Sequence, residues 1–456
     1  MKKSLLLIPL VSILVSACCL FKPCSDKRIT EAWLFTDGLP GQGYTTEALV
    51  ADASENLYVA GIGFGQTLFC QQTQVTGTHF SGVVLKFHPD RTCEWYYQFM
   101  PKNTDNRDDR CFANKVVVDK DQNILVCGGF YGSLTYREQL LFPYDSLFRG
   151  FIAKLDKNGG LLWAKEFRTA KNTSLEQLLV LPNGNFVAQG SNISKNGHTG
   201  DDDTFLVAFD PNGTKLWEKP INTALFDNAD DLRLSKHNTF YSLTVGGERF
   251  SNSSSILIKE WDFAGNERWS FEQPSGALTQ KGFLAVDEND NLWFATTFTA
   301  ERTPFIFGKD TLRTSQKEDS YLAKFVNRQP AFSTVLAGSD VDYMTGLYDG
   351  AGGNMALTLN HGTNLTAFGK TYTISTPYAF TQLSFPALKP EQATATSYGV
   401  SFEDPGFPRN SQILTQVSRN GNEYLAGRIS GTLIAGTDTL RTRAIWGSFI
   451  IAKRKK

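Results

Sequence analysis

The chain has only five histidines in 456 residues, namely His79, His88, His198, His237 and His361, and each stands isolated from the others. No HExxH or related metal spacing can be built from them, and a lone histidine in a turn is ordinarily a solvated turn residue. There is no GxSxG elbow, no P-loop and no GxGxxG between a strand and a helix, so the common hydrolase, nucleotide and dinucleotide signatures are unmatched. Charge of one sign is missing as well. With 45 Lys and Arg against 46 Asp and Glu the formal net charge is −1, which gives no global field for nucleic acid or an anionic membrane surface. Methionine falls to 4 while glycine reaches 39, a balance that suits strands and turns better than long helices.

What is present begins at the N-terminus. Lys2 and Lys3 precede an apolar stretch, Leu5–Val15, which is too short to span a bilayer, and small Ser16 and Ala17 lead to Cys18. The ending VSAC resembles the lipobox of bacterial lipoproteins. That resemblance implies a signal peptide over residues 1–17, acylation of the Cys18 thiol and a lipidated tether over 18–28. The expected location is the bacterial cell envelope, lipid-anchored at the outer membrane, facing either the periplasm or the surface. Six cysteines remain, Cys19, Cys24, Cys70, Cys93, Cys111 and Cys127, an even number in an oxidising compartment. Disulfides are therefore permitted, their pairing is open, and free buried thiols are the alternative, with Cys127 in an apolar strand the first example.

The body of the chain repeats itself. GFIAKLDKNGGLLWAKEF at Gly150–Phe167 reads as strand, glycine turn and strand, and Thr204–Pro220, Ser255–Phe271 and Ser81–Phe99 repeat it with Trp95, Trp163, Trp217 and Trp269 in register. Ser320–Phe325 and Ser448–Arg454 keep only its first half. A second type of hairpin, such as VVDKDQNILVCGG at Val117–Gly129, occurs seven times at a spacing of about 60 residues, which is the signature of a four-stranded blade. The pentapeptide DTLRT, at Asp310–Thr314 and again at Asp438–Thr442, falls between the second and third strands of units five and seven. It belongs to a small extra hairpin inserted in mid-blade.

These units resemble SBBP repeats, best matched by Val117–Lys165, and the resemblance implies a seven-bladed β-propeller of an exported bacterial protein. The fold expected is all-β, a propeller over 29–456 with blades starting near 45, 112, 174, 228, 280, 342 and 411. Unit seven lacks a fourth strand, and ITEAWLFTDG at Ile29–Gly38 is a Trp-bearing strand without a blade, so the N-terminal strand is expected to complete the last blade.

Function is less legible. The acidic run Asp201, Asp202 and Asp203 could offer oxygen ligands to Ca²⁺, although Asp203 also occupies a turn-capping position. The mid-blade excursions are long except in units three and four. That predicts a ligand notch there, floored by Asp201–Asp203 and the turn near Arg249. The repeated tryptophans are expected to pack between blades. The segment DPNGTKLW at Asp210–Trp217 is similar to propellers that bind pyrroloquinoline quinone, which use eight blades and a central set of acidic, Asn and Arg residues; no such set, and hence no cofactor, is legible here. Three readings follow: a lipid-anchored binding or scaffold protein with an envelope protein or glycan as partner, a carbohydrate-binding propeller whose exposed aromatics would cluster at Tyr131, Tyr136, Phe305 and Phe307, and a hydrolase or quinone-dependent enzyme.

Overall fold

The polar turns are built by one device used repeatedly. In Asp119, Asp156, Asp210 and Asp262 one carboxylate oxygen accepts the backbone N–H groups two and four residues on, at 2.7–3.0 Å, and Asp52 and Asp287 do the same. The side chain supplies the acceptors that a tight turn cannot, so Asp followed by Asn or Gly fixes where each strand reverses. A computed structural model describes residues 28–36, 43–70, 72–101, 109–193, 203–221, 226–247, 254–300, 303–314, 318–338, 342–350, 353–401, 412–442 and 447–455. Apart from one helical turn at Pro390–Gln392, its regular elements are strands. The fold is an all-β propeller.

The strands fall into seven four-stranded groups among the described residues. Blade two, for example, runs Arg110–Val118, Ile124–Tyr136, Gln139–Leu155 and Leu161–Phe167, each antiparallel to the one before. The inner strands of the seven groups are Gly43–Ala51, Arg110–Val118, Asn172–Val180, Phe226–Leu234, Leu278–Val286, Tyr343–Asp349 and Gln412–Arg419. Each lies against the next, and Gln412–Arg419 lies against Gly43–Ala51. Arg28–Thr36 pairs antiparallel with Gly447–Lys455, with Trp33 opposite Ile450. Blades five and six depart from the sequence reading: Gln329–Gly338 and Thr394–Ser401 supply complete fourth strands where no tryptophan marks them.

Seven buried apolar clusters hold the groups together, each shared by two successive blades. The cluster of Tyr44, Val59, Val83, Tyr424 and Ile450 joins blade seven to blade one. Strands covered on both faces read as unbroken apolar runs, whereas the outer strand Lys215–Ile221 alternates between exposed and covered residues. The tryptophans act at these seams. Trp163 lies over Gly213 in the turn of blade three and Trp217 over Gly265 in that of blade four, where a Cβ would come within 3.0 Å and 2.8 Å of the indole. Both glycines have positive φ, +78° and +80°, so the turn conformation and the close approach select glycine together. The expectation of packing between blades describes them correctly.

The DTLRT hairpins are stitches. Asp310 accepts from the Tyr321 hydroxyl at 2.7 Å and Asp438 from the backbone N–H of Ala32 at 2.7 Å, fastening each hairpin to its own blade. In blades six and seven the hairpin also pairs with the fourth strand of the blade before, through Gly338 opposite Leu365 and Gly399 opposite Ile434. Cys70 and Cys93 form a disulfide with Cα atoms 5.2 Å apart, while Cys111 and Cys127 are buried and free. Cys18, Cys19 and Cys24 lie outside the described residues.

Candidate functional site in the central channel

A β-bulge interrupts every inner strand at nearly the same level. The register shifts between Thr46 and Ala48, Ala113 and Lys115, Leu175 and Gln177, Ala229 and Asp231, Thr279 and Gly282, Met344 and Gly346, and Ile413 and Thr415. The residues left over are Glu47, Asn114, Glu176, Asp230, the pair Gln280 and Lys281, Thr345, and Leu414. An extra residue in one strand turns its side chain away from the pleat, and in the first six blades the turn is toward the axis. From the first six blades these residues line a central cavity of about 910 Å³. The channel thus carries a polar belt with three carboxyl groups, an amide pair and an ammonium.

Local contacts fix the belt. Asp230 accepts from the backbone N–H of Val245 at 2.8 Å and of Gly282 at 3.2 Å, which ties blade four to blade five. Asp231 accepts from Leu284 N–H at 2.9 Å and pairs with Arg233 at 3.0 Å. Gln177 donates to the Asp230 carbonyl at 2.7 Å, and its Oε1 has no partner within the protein. Thr45 donates to Glu47 at 3.0 Å.

The electrostatics are set by desolvation. Burial lifts the Glu176 carboxyl to about 7 against the pull of Lys281. Burial lifts Asp230 to about 8, again against Lys281 and its two N–H donors, and the neighbouring Glu176 pushes it further. Glu47 is raised for the same first reason. Burial lowers Lys115 to about 8, opposed by Asp231. Near neutral pH several of these groups exchange protons readily, and perturbed groups gathered in one cavity mark a functional-site candidate.

Inner strands begin where second strands end, as Arg110 opposite Tyr131 shows, so their N-terminal ends lie on the side of the mid-blade excursions. At that end the cavity is lined by Arg110, Phe112 and Phe148, the last of these from the excursion of blade two. At the other end the lining turns apolar, with Val50, Val117, Leu179 and Phe283 beside Arg233 and Asp349.

Asp203 opens the third strand of blade three with Lys171 at 3.4 Å, away from the belt. Asp201, Asp202 and Arg249, and with them the proposed notch, lie outside the described residues. Among the described residues no group of three or more His, Cys, Asp or Glu is placed to hold a metal ion. The exposed aromatic cluster proposed for carbohydrate does not form: Tyr131 is half-buried, and Tyr136, Phe305 and Phe307 are 2%, 0% and 1% exposed, Tyr136 packed on Tyr97 and Phe99 and the other two folded inward against Phe294, Phe298 and Tyr321. The residues that sequence reasoning missed are those of the bulged belt. Its signal was a polar residue inside an otherwise apolar strand, as in TTEAL, SLEQL and NADDL.

No family model and no curated protein matches the chain. Among solved structures it is similar to the Pan2 WD40 domain of Neurospora crassa, at 10% identity over 94% of this chain and 97% of that one, with a TM-score of 0.46. It is also similar to the GH93 α-L-arabinofuranosidase of Fusarium graminearum, at 12% identity over 77% and 95% with a TM-score of 0.44, and to the α-L-arabinanase of Penicillium chrysogenum, at 8% over 75% and 92% with 0.41. These neighbours are β-propellers. Likeness at this level carries no argument about activity.

Proposed function

We propose that this protein is an exported, lipid-anchored envelope protein that binds a small molecule, or the end of a polymer, in its central channel. The observation that carries the reading is the bulge repeated in all seven inner strands, which sets a polar belt around a cavity of about 910 Å³. A bulge costs ladder hydrogen bonds, and in the first six blades the residues it releases line the cavity, where a ligand can use them. Anchoring through Cys18 rests on the lipobox resemblance, and the Cys70–Cys93 disulfide supports an oxidising compartment.

The test is a thermal-shift screen with a library of saccharides, short peptides and quinones, run on the wild type and on Asn228→Trp, which places a large ring on the channel wall. Compounds should stabilise the wild type and lose that effect in the variant, whose unliganded transition is unchanged. A library that stabilises neither protein, or both equally, would overturn the reading. A second reading, hydrolysis, is favoured by one observation: carboxyl groups from adjacent blades, Glu176 and Asp230, line the same cavity, where burial raises both toward neutrality so that one can hold a proton while the other is ionised. Turnover of a bound compound that is lost in Glu176→Gln and Asp230→Asn, with binding retained, would establish it.

A further inference from the structure

Phe112 and Phe148 line the excursion-side mouth of the cavity, and both are half-buried, as is Phe80 beside them. They form a continuous ledge, with Phe80 and Phe112 centroids 6.1 Å apart and Phe112 and Phe148 5.8 Å apart. Arg110 sits 5.7 Å from the Phe148 centroid. The backbone N–H of Phe148 donates to Asn172 at 2.9 Å, so the excursion that carries this ring is tied to the inner strand of blade three. The ledge is positioned, not incidental.

Groups that bond hydroxyls without demanding charge line the same cavity. The Asn114 amide nitrogen donates to Leu175 O at 2.9 Å and Ser174 Oγ at 3.2 Å, which leaves its oxygen as acceptor. Asn228 is exposed and lines the cavity from blade four, and the buried Gln177 has an Oε1 without a protein partner. Acids and bases occur together along the channel, so no single ionic ligand is selected. An apolar ledge and neutral acceptors and donors in one cavity fit a molecule with a C–H face and a hydroxyl edge.

We infer that the excursion-side mouth of the channel is a saccharide subsite, with a sugar ring laid on Phe112 and Phe148 and its hydroxyls bonded by Asn114, Asn228 and Arg110. This rests on the reading of the channel as a ligand site and names the class of ligand. The carboxyl groups Glu176 and Asp230, one layer deeper, carry protons near neutral pH and can donate to further hydroxyls.

The experiment is calorimetric titration of the full mature chain with four neutral probes: cellotriose, mannotriose, arabinotriose and chitotriose. At least one should bind the wild type, and Phe112→Leu and Phe148→Leu, which keep an apolar side chain but remove the ring face, should each weaken it roughly three- to tenfold. Leu388→Ser, on an exposed residue outside the cavity, should leave it unchanged. No binding of any probe at millimolar concentration, or equal binding by both Leu variants with unaltered melting, would overturn the inference. Channel ligands that emerge from the wider library and contain no sugar would sink the saccharide subsite while leaving the channel reading intact.

Discussion

Replacing Lys324 by methionine removes one half of a buried ion pair that also locks two blades. Its Nζ lies 3.0 Å from Asp287 Oδ2, 3.1 Å from the Ala387 carbonyl of blade six and 5.1 Å from the Trp293 centroid, with side-chain exposures of 9% for Lys324 and 0% for Asp287. Breaking such a pair on one side costs about 3–5 kcal/mol, because the remaining charge is buried without its counterion. Asp287 keeps donors from Asn289, Asn291 and Trp293, which places the expected loss at the lower end, about 3 kcal/mol. With an unfolding entropy of roughly 2.1 cal/mol/K per residue over about 430 residues, that is a fall of roughly 3 °C in Tm.

The loss should also depend on pH. Burial works against the Asp287 charge, yet hydrogen bonds from Asn291 and Lys324 hold the carboxyl below the usual range. Its stabilisation is thus present above the unfolded value of about 3.9 and is lost as pH falls through the lower folded value. Without Lys324 the carboxyl rises instead, so the gap between variant and wild type should narrow as pH falls from 7 toward 4. Scanning calorimetry across that range measures both effects. Lys120→Met, at the exposed pair with Asp121, should leave the transition in place. A Lys324→Met deficit no larger than that of Lys120→Met, or one independent of pH, would refute the reasoning.

Further outcomes follow from the same structure. Glu176 at about 7 and Asp230 at about 8 lie above their unfolded values, so the folded state holds protons the unfolded chain has released. Stability from these groups falls as pH rises from about 4 to 8, and the double variant Glu176→Gln, Asp230→Asn should flatten that slope; an unchanged slope counts against the assignment. Gly213→Ala should destabilise by about 1–2 kcal/mol in chemical denaturation, from positive φ and contact with Trp163, and a neutral result would remove glycine from the seam argument. Deleting Ile29–Thr36 exposes the edge of Gly447–Lys455 and should lower the melting of the whole domain; an untouched transition would mean that this strand holds nothing. Cys18→Ser should release the protein from membranes, and continued membrane fractionation would assign retention to a protein partner.

The architecture was legible because it is periodic. Asp turns, apolar strand pairs and the DTLRT copies each report local chemistry, and local chemistry repeats with the blade. Blades five and six hid their fourth strands because Gln329–Gly338 and Thr394–Ser401 lack the tryptophan that marks the others, the seam there being filled by rings such as Phe332 and Phe385. The carbohydrate reading required exposed rings at Phe305 and Phe307, but a short hairpin folded flat on its blade buries them. The channel belt was the largest omission. Glu47, Glu176 and Asp230 are polar residues of three separate strands, and only the bulges and the ring bring them to one axis.

The most direct test is a crystal structure of the protein with the tightest ligand found in the library screen. The account predicts density in the central channel, touching at least two of Glu176, Asp230 and Lys281 and reaching toward Phe112. Density on the outer strands or the excursion tips, with the channel holding only water, would contradict it.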